Sequence, residues 1–314
     1  MFVLANRQAQ AGVDRAISIV RDGGSSLDAV TEGLKLAEAD PTSRFAGYGG
    51  APDMTGTVSC DAAIIDGDTR QSGAVAAVSG YLYSIEIAIK IMETLPHVML
   101  VGAGAERFAD EIGIKKQEML SPEARIGFET WLRSRVAKKH QADWPNVRLL
   151  DYVWPASNPE VEKDTSVLLV RDKAGKISAA TTTSGWSYKF PGRVGDSSII
   201  GAGLYADSVA GGCVCSHTGE VTMRGSTAHT VVMGMRLGKT VDDACLFAAE
   251  DIRRLKGGYL GPVVIHAASK DGGIGVYYCS PEADFDDNLF PERPAYFLWR
   301  EGMKEAELLE ARRV

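Results

Sequence analysis

The spacing of apolar residues changes period several times along the chain, and each change marks an element. In "AGVDRAISIVRDGG" (residues 11–24) and "SLDAVTEGLKLAEAD" (26–40) apolar positions recur every three or four residues, the spacing of one buried helix face. The first run ends in Gly-Gly and Ser26 heads the second as its expected N-cap, so two packed helices are predicted. "TVSCDAAIIDG" (57–67) and "QSGAVAAVSG" (71–80) are runs of small and β-branched residues divided by Gly and Asp, which predicts paired strands. Helical spacing returns in "SIEIAIKIMETL" (84–95); "HVMLVGAG" (97–104) reads as a buried strand and "GAERFADEIG" (104–113) as a short helix.

From Lys115 to Lys163 charged residues rise, the apolar pattern loosens, and Pro145, Pro155 and Pro159 interrupt it. Residues 115–163 are therefore expected to form an exposed connecting segment. The core signal restarts at Thr165. "TSVLLVRDKAGKISAATTTSG" (165–185) predicts a strand, a Gly turn and a second strand, followed by a Gly-rich loop and paired strands in "GGCVCSHTGEVTMRG" (211–225). Two helices between Ser226 and Lys256 and the strands "GPVVIHAAS" (261–269) and "GGIGVYYC" (272–279) complete the pattern. Helix pairs alternating with strand pairs, with few crossovers, indicate an α+β fold of antiparallel sheets covered by helices.

Composition narrows the function. With 314 residues, 45% of them hydrophobic, the chain can bury a large core. A formal net charge of −7 and a pI near 5.4 argue against nucleic-acid or anionic-membrane partners, which need clustered Lys and Arg. The basic run "RSRVAKKH" (Arg133 to His140) reads as a solvated helix face. No run approaches the ~18 apolar residues of a membrane span, and the start of the chain lacks a leader pattern. A cytoplasmic location is expected, with a bacterial periplasm also compatible. The five cysteines form no C-x-x-C pair; Cys213 and Cys215 alternate along one strand and should share a face as small hydrophobes.

The chain lacks a G-x-S-x-G elbow, an H-E-x-x-H helix and a phosphate loop. "VGAGAER" places Arg107 where a dinucleotide loop needs its third Gly and reads as a strand-to-helix turn. "DFDDN" (Asp284 to Asn288) lacks the Gly and the Glu of a calcium loop and reads as an acidic surface loop. No metal and no cofactor is expected.

One boundary carries chemistry. A Thr hydroxyl is a weak nucleophile unless a base stands beside it, and the α-amine of the same residue supplies one when Thr is N-terminal. That amine titrates near ~7.7–8 and accepts the hydroxyl proton at neutral pH. In "NPEVEKDTSVLLV" (158–170) a polar tail meets an apolar strand at Asp164-Thr165, where a cut would create such a residue. By itself an Asp-Thr pair at a strand start is an ordinary turn.

The surrounding text resembles the N-terminal nucleophile (Ntn) hydrolase family of glycosylasparaginases, isoaspartyl peptidases and plant-type asparaginases over most of the chain. The matching stretches are "GGSSLDAV", "GYGGAPD", "CDAAIIDG", "SGAVAAV", "METLPHVMLVGAGAERFA", "DTSVLLV", "AATTTSGWSYKFPGRVGDSSIIGAGLYAD" and "TGEVTMR", with "GYGGAPD" closer to the glycosylasparaginase branch. The resemblance implies a four-layer αββα sandwich and autocatalytic cleavage between Asp164 and Thr165. The products would be an α subunit of residues 1–164 and a β subunit of residues 165–314, assembled as a homodimer of processed units. The implied reaction is hydrolysis of the side-chain amide of an asparagine derivative of the N-acetylglucosaminyl type. Thr165 matches the nucleophile and Thr183 the hydroxyl that tunes it. Ser216 and His217 fall on the oxyanion step; Arg193, Asp196, His217 and Gly219 match substrate-binding positions. A guanidinium fork suits an α-carboxylate and an aspartate suits an α-ammonium. Read from the residues alone, Arg193 and Asp196 would be an internal salt bridge in a Gly turn.

Three departures stand out. Ser216-His217 occupies a step where relatives carry Thr-Gly; Gly there permits φ > 0 or close substrate approach, and a His side chain opposes both. Lys163 and Val167 flank the Asp-Thr pair where relatives carry His and Gly. A Trp that lines the pocket in some relatives has no counterpart in "LANRQAQAG". Two alternatives follow: an isoaspartyl dipeptidase or L-asparaginase with the same chemistry, and a poorly processed, non-catalytic member that binds a small amino-acid-like ligand.

Overall fold

The computed structural model describes residues 1–153, 165–281 and 293–314. Eight strands form the first sheet: β1 (Phe2–Asn6), β2 (Ser59–Asp66), β3 (Ser72–Ser79), β4 (Met99–Val101), β5 (Ser166–Arg171), β6 (Ile177–Thr183), β11 (Ala295–Arg300) and β12 (Glu307–Glu310). Their spatial order is β12-β11-β1-β5-β6-β2-β3-β4. The second sheet has the order β13-β10-β9-β8-β7, built from β7 (Leu204–Asp207), β8 (Gly211–His217), β9 (Val263–Ser269), β10 (Ile274–Cys279) and β13 (Arg312–Arg313). Pairing is antiparallel except at β3 with β4 and β10 with β13, which run parallel.

Strand side chains alternate between faces, and here both faces of the central strands are dry. Val3 and Ala5 of β1, Leu168 and Val170 of β5, and Ala180 of β6 pack against α1 (Gln10–Arg21), α2 (Ser26–Ala39) and α3 (Ser84–Thr94). Their neighbours Phe2, Leu4, Val167, Leu169, Ile177 and Ala179 point the other way, against Val214, Val264 and Val276 of the second sheet. The far face of that sheet packs Cys213, Cys215 and Ile265 on α8 (Thr227–Arg236) and α9 (Val241–Ile252). The result is helix, sheet, sheet, helix, the layering expected from the sequence. All five cysteines are buried and free, and Cys213 and Cys215 share one apolar cluster as expected.

Several sequence expectations need correction. The cap of α2 is Ser25, whose hydroxyl accepts from Asp28 N at 3.0 Å. Ser26 is the first helical residue, and its hydroxyl lies 2.9 Å from that of Ser178. "TGEVTMRG" is not a strand partner of "GGCVCSH": residues Gly219–Gly225 form the short helix α7. Its β-branched residues favour a strand locally, and contacts to the loop around Asp196 override that preference. The strands β1 and β11–β13 went unread. β1 is a five-residue buried run at the chain start with no alternation to betray it.

Residues 115–153 fold into α5 (Pro122–Arg135), α6 (Lys138–Gln141) and a 3₁₀ turn at Leu149–Tyr152. Among the described residues no helix is long and apolar enough to cross a membrane.

Candidate active site

Thr165 directly precedes β5 and is 3% exposed. Ser166 pairs with Thr182 in the antiparallel register of β5 and β6, so one further step sets Thr165 opposite Thr183. Thr183 in turn pairs with Asp61 of β2. Thr165, Thr183 and Asp61 thus form one row across three adjacent strands. Alternation fixes which way the row looks. Thr182 points to the helix layer, where its hydroxyl meets the carboxyl of Glu38 on α2. Thr181, and with it Thr183, faces the opposite side, where Thr181 Oγ1 donates to the Ser197 carbonyl at 2.6 Å.

The hydroxyl of Thr165 lies 3.3 Å from that of Ser197, close enough for either to donate to the other. Thr183 Oγ1 accepts the Gly185 amide at 2.9 Å. Asn6, the last residue of β1, holds the Thr165 backbone. Its amide nitrogen donates to the Thr165 carbonyl and its oxygen accepts from Val167 N at 3.1 Å. Asp61 secures the neighbouring loop by accepting from Gly195 N at 2.9 Å and Ala77 N at 2.8 Å. Asn6, Asp61 and Ser197 were missed from the sequence. Their part depends on strand register, which no local spacing discloses.

Ser197 continues from Asp196, so the Thr165 hydroxyl touches the loop "GRVGDSS" that carries Arg193. Asp196 is 3% exposed, and its carboxylate accepts the Thr222 hydroxyl of α7 at 2.6 Å. Burial raises its pKa to about 6, with the Thr222 hydrogen bond and Arg193 opposing the rise. A Cβ on Gly219 would stand 2.8 Å from both Asp196 N and Oδ1, so only Gly lets α7 approach this carboxylate.

Arg193 does not pair with Asp196. Its Nε and Nη2 donate side-on to the two carboxylate oxygens of Glu220 at 3.0 and 2.9 Å. The guanidinium also lies over the ring of Trp186, 4.7 Å from its centroid, and Tyr259 meets that ring edge-on at 5.1 Å. The side-on grip consumes one edge of the fork and leaves the Nη1–Nη2 end for a second carboxylate. Beneath the loop, buried Lys189 donates to the carbonyls of Ser59 and Ser184 at 3.0 and 2.9 Å. Burial lowers its pKa.

Ser216 and His217 end β8, two residues before Gly219. Ser216 Oγ lies 3.2 Å from His217 Nδ1. His217 has φ +81°, so the left-handed backbone expected of Gly is kept despite the side chain, contrary to the expectation that His would oppose it. Asp164 and Lys163 lie outside the described residues, as does the acidic run Asp284–Asn288. Among the described residues no group of His, Cys, Asp and Glu could hold a metal ion.

Two facing sheets between helix layers are consistent with the sandwich fold of the N-terminal nucleophile hydrolases. The asparaginase family model matches residues 5–283, and the chain belongs to that family, whose named members hydrolyse amide C–N bonds. It is 38% identical to the N(4)-(β-N-acetylglucosaminyl)-L-asparaginase of Elizabethkingia miricola, over 83% of this chain and 73% of the relative. It is 37% identical to the isoaspartyl peptidase of Salmonella typhimurium, over 74% of this chain and 72% of the relative. With the plant-type L-asparaginase of Pyrococcus furiosus the identity is 35%, over 90% and 86%.

Proposed function

We propose that this protein is an amidohydrolase that cuts the side-chain amide of a free asparagine derivative, using Thr165 as an N-terminal nucleophile. In the uncut chain the nitrogen of Thr165 is a peptide nitrogen and carries no basic lone pair. Cleavage of Asp164-Thr165 frees it as an amine, leaving residues 1–164 and 165–314 as paired subunits. The amine takes the Thr165 hydroxyl proton as the oxygen attacks the amide carbon, and returns a proton to the departing nitrogen. A β-aspartyl ester on Thr165 results. Water, activated by the same amine, releases aspartate and restores the hydroxyl.

Charge develops on the carbonyl oxygen during attack, and the His217 backbone N–H with the Ser216 hydroxyl would receive it. A donor in that role is worth about 3–4 kcal/mol of barrier. The free end of Arg193 takes the substrate α-carboxylate and Asp196 its α-ammonium, so a blocked amino acid would be refused. Thr183, opposite Thr165 in register, tunes the nucleophile. The observation that carries this reading is the buried Thr165 hydroxyl, hydrogen-bonded to the loop that bears Arg193 and Asp196.

Thr165→Ala is expected to abolish both self-cleavage and hydrolysis of an aspartyl β-amide; turnover retained in a folded variant would refute the assignment. Substrate choice is read by assaying N-acetylglucosaminyl-asparagine, β-aspartyl dipeptides and asparagine side by side. The glycosylated substrate is our leading candidate, supported by "GYGGAPD" and by the 38% identical relative. Isoaspartyl dipeptidase or asparaginase activity is the second reading, favoured by the absence of a pocket Trp from "LANRQAQAG". The small substrate is the proposed partner, and assembly is as a homodimer of processed units.

A further inference from the structure

The segment ahead of the proposed cut contains an aromatic cluster that reaches the substrate loop. Trp131 of α5 is 6% exposed and Tyr152 8%, and they share a small core with Met54 and Val136. Phe128 stacks on Trp131 at 5.6 Å, and Trp144 meets Trp131 and Tyr152 edge-on at 5.7 and 5.3 Å. Trp144 Nε1 also donates to the Met54 carbonyl at 2.7 Å. This is more than a surface helix resting on a core.

Trp131 also stacks on Tyr188, with centroids 4.6 Å apart and planes 14° from parallel. Tyr188 has φ +58°, a left-handed backbone that a residue with a bulky side chain adopts only when its surroundings impose it. Its amide donates to the Pro52 carbonyl at 2.8 Å, and Met54 N donates to the Lys189 carbonyl at 3.0 Å. Residues 52–54 and 188–189 are thereby stitched together under the aromatic lid. Lys189 then ties Ser59 and Ser184, and the next turn closes with Arg193 N donating to Phe190 O at 2.9 Å. Trp131 is thus linked to the loop of Arg193 through the Tyr188 ring, the backbone ties between residues 52–54 and 188–189, and the Phe190–Arg193 turn.

We infer that the Trp131–Tyr188 stack is a clamp that positions Arg193, so that the segment preceding the cut remains a working part of the substrate grip after cleavage. This rests on the proposed function for what Arg193 binds, and on geometry alone for the clamp. Trp131 and Tyr188 are positioning residues: neither belongs to the reacting groups, and their effect passes through the 185–193 loop.

The test compares Trp131→Ala, Trp131→Phe and Tyr188→Gly with the wild type. Tyr188→Gly removes the ring and at the same time suits the left-handed backbone, so a purely conformational role for Tyr188 would leave it neutral or improved. The clamp instead requires Trp131→Ala and Tyr188→Gly each to raise KM for an aspartyl β-amide about three- to tenfold with kcat within twofold. Trp131→Phe should recover most of the loss, and the double variant should add little to either single one. Amide hydrogen exchange across residues 185–193 should quicken in Trp131→Ala and Tyr188→Gly. Unchanged KM and unchanged exchange in both variants would overturn the inference, as would a fall in kcat alone. Should the wild type prove uncut and inactive, the proposed function fails on that result, while exchange across 185–193 still decides the clamp. If Trp131→Ala does not fold, Trp131→Phe and Tyr188→Gly carry the same comparison.

Discussion

At the scale of single residues, orientation of a guanidinium is the feature with the sharpest consequence. Glu220 holds Arg193 by one edge and so sets the direction of the free edge. Glu220→Gln keeps one acceptor and loses the paired, charge-assisted geometry. It is expected to raise KM about tenfold while kcat changes little, read from steady-state kinetics. The same change should act on Asp196. Burial lifts that carboxyl to about 6, and the negative charge of Glu220 adds to the lift. As pH falls through about 6, Asp196 takes up a proton and loses its attraction for an α-ammonium, so kcat/KM should fall on the acid side. Asp196→Asn should remove that limb and raise KM at every pH; Glu220→Gln should move it to lower pH. An acid limb unaltered in both variants would separate Asp196 from substrate binding. His217 belongs to this scale as well: a left-handed backbone costs a non-glycine residue roughly 1–2 kcal/mol, and His217 adopts it at φ +81°.

At the scale of elements, a buried acid joins three of them. Glu38 of α2 is fully buried. Its carboxyl receives the Thr182 hydroxyl of β6 and, at 3.1 Å, the Ile85 amide of α3. Burial raises its pKa from 4.5 to about 8. Between those values the unfolded chain gives up its proton and the folded chain keeps it, so stability declines as pH rises, by up to about 1.4 kcal/mol per pH unit. Glu38→Gln has no proton to lose. Its stability relative to wild type should therefore grow from pH 5 to pH 8 in denaturant titrations; a constant difference would show that Glu38 ionises normally. Elements also mark where sequence reading succeeded and failed. Helices α1 to α3, the helix Gly102–Glu111 and strands β2, β3, β5 and β6 followed their periodicities, because each buries one face or both in a regular way; β4, expected to be buried, is instead a three-residue strand at the sheet edge with Val101 exposed. The helix α7 did not, since Gly219 and Thr222 are fixed by Asp196 across the site rather than by their neighbours in the chain.

At the scale of the whole molecule, the candidate site draws together residues far apart in sequence. Thr165 gains Thr183 and Asp61 through register, Ser197 through a loop, and Asn6 from the chain start. The row of Thr and the Arg-Asp loop were legible because their motifs are long and continuous. Asn6, Asp61, Ser197 and Glu220 were not, because each is an ordinary polar residue until folding sets it beside the site. The aromatic cluster was illegible for a related reason: its Trp and Tyr residues lie in a segment whose charge content resembles a linker, and its core forms only against Met54 and Tyr188.

The central claim is that Thr165 becomes a chain terminus, and intact mass spectrometry of the purified protein under denaturing conditions tests it directly. Two polypeptides are expected, the larger beginning at Met1 and the smaller at Thr165, with masses that sum to the 33.6 kDa chain plus one water. A single polypeptide of 33.6 kDa after prolonged incubation, in a protein that nevertheless hydrolyses aspartyl β-amides, would contradict the account.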